Sequence, residues 1–179
     1  LREQVNIIKH IQEMLTIQRQ YVAGHTALEK KAANLHSIVN DCMAMLYASL
    51  EKRGIRVAIN IPPDLPRIKA DHTRLMQVVL NLLKNSLEAI PLNAEQKLIS
   101  IDAVAAGDVI TLQMHDTGHG FDDETGRQLF VRGFTTKASG TGLGLANCRA
   151  IVEGHNGTIG ISSEGFGKGA TTTIKFKKE

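Results

Sequence analysis

The sequence lacks the features that mark several broad classes of protein. Its two cysteines, Cys42 and Cys148, stand alone without metal-ligand spacing, which predicts buried free thiols in a reducing cytoplasm. No apolar run approaches the roughly 20 residues that a helix needs to cross a bilayer, and no signal peptide is present. We therefore expect a cytoplasmic chain that makes no membrane contact, although a membrane-anchored parent protein is compatible with this.

The chain also lacks any concentrated block of charge. Its formal net charge is only +3, and the lysines near the end (Lys175, Lys177 and Lys178) are typical of a solvated terminal strand. We therefore expect no nucleic-acid partner. With 42% hydrophobic and 22% charged residues, the chain can form a sizeable core, and its length fits one domain plus a short extra element.

The first 24 residues predict a helix that packs in a bundle. Residues 2–23 contain neither glycine nor proline, and apolar residues recur on two positions of a seven-residue repeat. These positions hold Leu1, Ile8, Ile11, Leu15 and Val22, while Gln4 and Gln18 interrupt the repeat. The stripe is compatible with a dimeric helical bundle but is too short to establish a coiled coil.

The rest of the chain mixes helical and extended patterns. Gly54 is placed for a left-handed C-cap and Asp71 for an N-cap. We expect helices over 34–53, 72–90, 122–130 and 143–153, and strands over 55–61, 98–103, 109–115, 158–163 and 170–177. Because no regular βαβ alternation is present, this pattern favours an α+β sandwich over a doubly wound sheet.

The long helix predicted over 72–90 carries the first group of residues suited to chemistry. Its predicted buried stripe consists of Leu75, Val78, Val79, Leu82, Ser86 and Ala89. Asn81, Asn85 and Glu88 project together from the border of that stripe, at spacings of four and three. Amide oxygens there suit a hard cation such as Mg²⁺. The alternative is that both asparagines are ordinary solvated helix residues.

A second motif, Asp-Thr-Gly-His-Gly at 116–120, directly follows a predicted strand. A carboxylate at a strand end can accept a hydrogen bond from an exocyclic amine, and the glycines Gly118 and Gly120 allow backbone to approach a flat ring. The alternative is a tight turn in which Asp116 stabilises its own backbone.

A third motif is glycine-rich and lies immediately before a predicted helix. Gly140, Gly142 and Gly144 alternate with other residues, so that backbone N–H groups and the helix N-terminus can meet a phosphate. The spacing matches neither the dinucleotide fingerprint nor the P-loop. A flexible connector is the alternative interpretation.

The segment Phe130–Lys137 lies between these two motifs. Phe130 and Phe134 could anchor the two ends of a mobile segment, while Lys137 could reach a phosphate. The alternative is that both phenylalanines only pack in the core.

In this order, the four motifs resemble those of the ATPase superfamily shared by histidine kinases, Hsp90 chaperones, type II topoisomerases and MutL repair proteins. Residues 81–89 resemble the N box, 116–120 and 140–145 the two glycine boxes, and 130–137 the F box, within a likeness that covers 34–177. The resemblance implies a Bergerat-type fold, a two-layer α/β sandwich whose mixed, largely antiparallel sheet is covered by helices on one face. It also implies an ATP-binding catalytic domain over 26–179, preceded over 1–25 by the second helix of a dimerisation region.

Several features resemble the histidine-kinase branch of that superfamily. These are the F box and the sequence at 141–146 followed by that at 151–157. The hydrolysing branches place a glutamate at position 81, where it activates water, whereas Asn81 cannot act as a general base. The resemblance therefore implies phosphoryl transfer to a protein acceptor rather than hydrolysis.

The resemblance also implies a role for each matched residue. Asp116 would accept from the adenine amino group, with Gly118 and Gly120 beside the base. Asn85 would hold Mg²⁺ with Asn81 next to it, and Asn81 and Lys137 would be the catalytic residues. The remaining nucleotide-binding residues would be Gly140, Thr141, Gly142, Leu143 and Gly144, at the end of the ATP lid.

Two departures from the family pattern stand out. None of the seven histidines is followed by an acidic residue and a nearby Thr-Pro, so the phosphoacceptor is expected upstream of Leu1. Thr172 occupies a position where many relatives have an aromatic residue, which is expected to loosen the local packing.

The leading hypothesis is a protein-histidine kinase that uses ATP and Mg²⁺. It would pass the phosphoryl group to the receiver domain of a response regulator, and the full-length protein would form a homodimer through its helical region. An anti-sigma-factor-type Ser/Thr kinase and a nucleotide-binding regulatory pseudokinase are the alternatives.

Overall fold

The computed structural model describes residues 27–138 and 140–179, and the predicted helix over 2–24 and the proposed domain over 1–25 lie outside them. The described residues form seven strands and four helices. The strands are β1 (Lys31–Ala33), β2 (Arg56–Asn60), β3 (Ile68–Ala70), β4 (Leu98–Ala106), β5 (Val109–Asp116), β6 (Thr158–Ser162) and β7 (Ala170–Lys177). The helices are α1 (Leu35–Arg53), α2 (His72–Ala89), α3 (Asp123–Gln128) and α4 (Gly144–Gly154).

Five of the strands form one mixed sheet in the order β2-β4-β5-β7-β6. The pair β2 and β4 is parallel, and the other three pairs are antiparallel. Buried and exposed residues alternate along β4, β5 and β7, so one face of the sheet supplies the core. Helices α1, α2 and α4 pack together on that face. The predicted α+β sandwich with a largely antiparallel sheet is confirmed.

The predicted caps at Gly54 and Asp71 are present, and the structure adds an N-cap at Asn34. The Asn34 side chain accepts from the backbone N–H of His36 at 2.9 Å, and Gly54 closes α1 with φ +67°. The Asp71 carboxylate accepts from the N–H of Arg74 at 3.1 Å, which satisfies one unpaired donor at the start of α2. The Asp71 cap therefore defines where α2 begins.

Most of the predicted stripe on α2 is buried. Leu75, Val78, Val79, Leu82 and Ser86 are buried, while Ala89 is half-buried at the end of the helix. Burying a side chain of leucine size is worth about 1.5–3 kcal/mol. The packing of this stripe therefore fixes the rotation of α2 and brings its polar border to the edge of the core.

A small second sheet was not predicted. Strands β1 and β3 pair antiparallel over three residues each, from Lys31 opposite Ala70 to Ala33 opposite Ile68. Three residues are too few for a recognisable period of two, and the two strands are far apart in the sequence. This sheet attaches the segment before α1 to the segment that leads into α2.

Candidate functional site

A cavity of about 630 Å³ opens between α2, α4 and the sheet. It is lined by nearly all of the residues that the sequence analysis selected: Asn81, Asn85, Asp116, Gly120, Lys137, Gly140, Thr141, Gly142, Leu143 and Gly144. Gly118 does not line the cavity, but its backbone N–H donates to the Asp116 carboxylate at 2.9 Å. Four motifs that are distant in sequence therefore meet at one cavity.

Asp116 ends β5 and defines what we call the sheet end of the cavity. Asp116 as a whole is only 5% exposed, and its Oδ1 accepts from the backbone N–H of Gly118 at 2.9 Å. The Ser86 hydroxyl also donates to it. Burial raises the pKa of Asp116, and the hydrogen bonds from Gly118 and Ser86 partly oppose that rise. The result is a buried acceptor that faces the cavity.

The glycines near Asp116 are required by the protein's own packing. A Cβ at Gly118 would lie 2.7 Å from Asp116 Oδ1, and one at Gly120, where φ is +63°, would lie 2.3 Å from the carbonyl oxygen of Gly165. At Gly169, where φ is +70°, a Cβ would lie 2.0 Å from the carbonyl oxygen of Asp116. Sequence reasoning assigned Gly118 and Gly120 to close approach of a ring, and the structure adds a second reason for them.

The polar border of α2 faces the cavity as the helical spacing predicts. Asn81 and Asn85 are half-buried and Glu88 is exposed, and all three line the cavity. Lys137 Nζ donates to Asn85 Oδ1 at 2.9 Å and forms an ion pair with Glu88. Lys137 therefore contacts α2 directly.

The glycine-rich motif forms the opposite side, which we call the loop end. Helix α4 begins at Gly144 after Leu143, and no side chain caps its first turn. Its first N–H groups are thus available to an anion, with the positive end of the helix dipole behind them. Gly142 has φ +68°, and a Cβ there would lie 2.3 Å from the carbonyl carbon of Gly133. Only glycine fits this crossing of two backbone segments.

Asn81 supports the start of α4. A Cβ at Gly144 would lie 2.8 Å from Asn81 Oδ1 and 2.9 Å from Asn81 Nδ2, so the helix backbone approaches this amide closely. Cys148, one turn further along α4, is 1% exposed, and burial raises its pKa to about 12. It is an unreactive thiol in the floor of the cavity, and the predicted burial of both cysteines is confirmed.

The two phenylalanines of the segment 130–137 differ in their surroundings. Phe130 packs against the core with its ring 4.3 Å below the guanidinium carbon of Arg149, whereas Phe134 lines the cavity. Packing therefore accounts for Phe130, but Phe134 also contributes to the cavity wall.

Sequence reasoning missed two contributors to the sheet end. Ser86 was placed only in the apolar stripe of α2, although its hydroxyl reaches Asp116. Thr172 was noted only as a departure, yet it is 7% exposed and lines the cavity with its neighbour Ala170. A signal for Thr172 existed, because alternation along β7 places it on the same face as Ile174.

The donor set fits ATP with Mg²⁺. The sheet end offers a buried acceptor, and the loop end offers backbone N–H groups and the cation Lys137. The described residues contain no group of three or more His, Cys, Asp or Glu side chains placed to hold a metal. The amide oxygen of Asn85, which lines the cavity, is the type of ligand that Mg²⁺ accepts alongside waters and substrate phosphates.

Comparison with known proteins agrees with this geometry. The family model described as histidine kinase-, DNA gyrase B-, and HSP90-like ATPase matches residues 70–179. The sensor histidine kinase ZraS of Escherichia coli K12 is 37% identical over 149 residues, which cover 83% of this chain and 31% of ZraS. The chain thus spans about a third of the length of the curated relatives it matches.

Two solved structures are similar over most of the described residues. The catalytic domain of histidine kinase ThkA has a TM-score of 0.75 and 27% identity, and the match covers 84% of this chain and 96% of that domain. ThkA in complex with response regulator TrrA has a TM-score of 0.74 and 23% identity, with 100% of this chain and 52% of that chain covered. Within the described part of the chain, no helix has the length and apolarity to span a bilayer.

Proposed function

Because the chain belongs to the family of histidine kinase-, DNA gyrase B- and HSP90-like ATPases, we propose that it is the catalytic part of a protein-histidine kinase. It binds ATP with Mg²⁺ and transfers the γ-phosphoryl group to a histidine upstream of residue 1. The observation that carries this proposal is the pair of cavity-facing amides, Asn81 and Asn85, between a buried carboxylate and a glycine-rich helix start. The kinase names of the relatives support it.

Each end of the cavity binds one part of the nucleotide. Asp116 accepts from the adenine amino group, since its buried oxygens face the cavity. The N–H groups that follow Gly142 receive the phosphates, and Lys137 neutralises part of their charge. Asn85 would supply an oxygen to Mg²⁺, which when bound would offset the charge of the phosphates.

The residue at position 81 favours phosphoryl transfer over ATP hydrolysis. An amide cannot take a proton from water, so Asn81 does not activate a nucleophile there. Its close contact with the start of α4 suggests that it positions the glycine-rich backbone instead. Positioning and electrostatic stabilisation account for most of phosphoryl-transfer catalysis, and these residues supply both.

The proposed partners follow from the same assignment. A response-regulator receiver domain would take the phosphoryl group from the histidine, by analogy with ThkA, which forms a complex with the response regulator TrrA. Residues 1–25 would be the second helix of a dimerisation region, residues 26–179 the catalytic domain, and the full-length protein a cytoplasmic or membrane-anchored homodimer.

The decisive experiment supplies the chain with its upstream region and γ-labelled ATP. An acid-labile, alkali-stable phosphoprotein is the expected product, because phosphohistidine has that stability. Acid-stable label would indicate a Ser/Thr kinase, and ATP binding without label would indicate a regulatory module. Residues 1–179 alone should bind MgATP without labelling themselves.

A further inference from the structure

Lys137 contacts the atom that the proposed function assigns to the metal. Its ammonium donates to Asn85 Oδ1 at 2.9 Å and pairs with the Glu88 carboxylate. Asn85 and Glu88 are three residues apart on α2 and therefore face the cavity together. An ammonium group and Mg²⁺ are both cations, so they compete for the same amide oxygen.

We infer that Glu88 is a positioning residue that holds Lys137 on Asn85 in the nucleotide-free protein. MgATP then has to displace the ammonium before Asn85 can bind the metal. The inference rests on the proposed function for the identity of the incoming ligand. The contact between Lys137 and α2 does not depend on that identity.

Glu88 is suited to this role by its place in the cavity. Among the described lining residues, the only carboxylates are Glu88 and Asp116, and Asp116 lies at the sheet end with donors of its own. Without Glu88, only the neutral amide of Asn85 would hold the ammonium. A neutral acceptor binds a cation more weakly than a carboxylate does.

The contact is weak enough to be released. The Lys137 and Glu88 side chains are 40% and 33% exposed, so water screens their attraction. Partly exposed pairs of this kind change an equilibrium constant by about two- to fivefold. Binding of a phosphate group to the released Lys137 can offset that amount, since phosphate carries more charge than one carboxylate.

The first test measures the reactivity of Lys137 without any nucleotide. Reductive methylation of the Glu88→Gln variant, followed by site-resolved mass spectrometry, should label Lys137 about two- to fivefold faster than in the unchanged protein. Lys175, an exposed lysine on β7 that does not line the cavity, serves as the internal reference. The matched control is Glu51→Gln, an exposed glutamate on α1 that does not line the cavity. Equal labelling of Lys137 in both variants would overturn the inference.

The second test is calorimetric titration with MgATP. Glu88→Gln should bind about two- to fivefold more tightly, because the competing ammonium is no longer held. In a Lys137→Met background the same change should have no effect on affinity. Weaker binding of Glu88→Gln in both backgrounds would mean that Glu88 serves the metal directly, and the inference would fail.

The proposed function and the proposed role of Glu88 would be contradicted by different results. If the unchanged protein does not bind MgATP, the proposed function is wrong, yet the labelling of Lys137 still reports whether Glu88 holds it. If MgATP binds and Glu88→Gln changes neither labelling nor affinity, only the role of Glu88 is wrong.

Discussion

The two ends of the cavity are built by different means. At the sheet end, Asp116 is buried and hydrogen-bonded, and glycine backbones pack against it so closely that no side chain would fit. At the loop end, Lys137 and Thr141 are exposed, and charge provides the contact to α2. One end is part of the packed core, whereas the other adds exposed charged and polar groups to the close backbone contacts of Gly142 and Gly144.

This difference matches the two parts of the proposed ligand. A buried carboxylate has to be held by fixed donors, because an unsatisfied one would cost several kcal/mol. Phosphates carry charge that attracts groups from the solvent, so a surface loop suffices for them. We expect substitutions at the sheet end to affect folding, and those at the loop end to affect binding.

The largest effect is expected at Gly169. Changing it to alanine would place Cβ 2.0 Å from the carbonyl oxygen of Asp116 at φ +70°, so the unfolding free energy should fall by about 2–5 kcal/mol. Urea denaturation measures this. The control is Gly160→Ala, where a Cβ meets nothing within 4 Å. Equal losses in the two variants would mean that the sheet end is not tightly packed.

Asp116→Asn should change ATP affinity and the pH dependence of the unfolding free energy by two distinct causes. An amide presents a donor in place of one acceptor, so ATP affinity should fall about 10- to 100-fold, the range expected for a lost hydrogen bond with an unpaired partner. Because burial raises the pKa of Asp116, the native state holds its proton more tightly than the unfolded state does. That contribution to stability is lost as pH rises through the native pKa.

The Asp116→Asn variant should therefore lose less stability than the unchanged protein between acidic and neutral pH. Calorimetric titration and pH-dependent urea unfolding check the two parts. Undiminished ATP affinity would remove Asp116 from the site.

His155 follows the C-terminal end of α4 and, like Asp116, is a buried titratable residue with hydrogen bonds to the backbone. It tests whether such a residue also makes stability depend on pH at this end of the helix. Its Nε2 accepts from the N–H of Asp71 at 3.0 Å and its Nδ1 lies 2.7 Å from the carbonyl oxygen of Ile151, which requires the neutral ring. Burial lowers the pKa of His155, and Lys30 lowers it further, while the Ile151 carbonyl and Asp71 oppose them.

Since the native pKa of His155 is depressed, the stability it contributes is present above the unfolded value of about 6.5. It is lost as pH falls through the native pKa. His155→Gln should lower the unfolding free energy at neutral pH by about 1–2 kcal/mol and flatten its dependence on pH. An unchanged pH profile in that variant would assign the dependence to other groups.

The smallest effect on folding is expected at the loop end. Gly142→Ala introduces strain at φ +68° next to Gly133, but the surrounding loop is exposed and can rearrange. We expect the unfolding free energy to fall by about 1 kcal/mol, the lower end of the range for a non-glycine residue in this conformation, while MgATP affinity falls because the backbone N–H groups that follow Gly142 are displaced. A loss of unfolding free energy as large as that of Gly169→Ala would contradict the expectation that substitutions at the loop end affect binding more than folding.

Much of this arrangement could be predicted from local patterns. The spacing of apolar residues predicted α2 and its polar border, and Gly54 and Asp71 predicted one helix end each. These features depend on residues within one or two turns of each other. The order of the four motifs, read with the family resemblance, then predicted that they share one cavity.

Other features depend on residues that meet only after folding. The pairing of β1 with β3, the contact of Lys137 with Glu88 and the bond from Asp71 to His155 join positions that are distant in the sequence. No periodicity or propensity encodes such a pair, because periodicity relates only residues that are close in the sequence.

The sequence by itself therefore determined the helices after residue 34, the strands of the large sheet, the family and the chemical groups available for a nucleotide. Only the tertiary structure decided that Gly169 packs against Asp116 and that Lys137 donates a hydrogen bond to Asn85. The physical reason is that local periodicity sets which side chains face inward, whereas packing between distant segments sets which atoms touch.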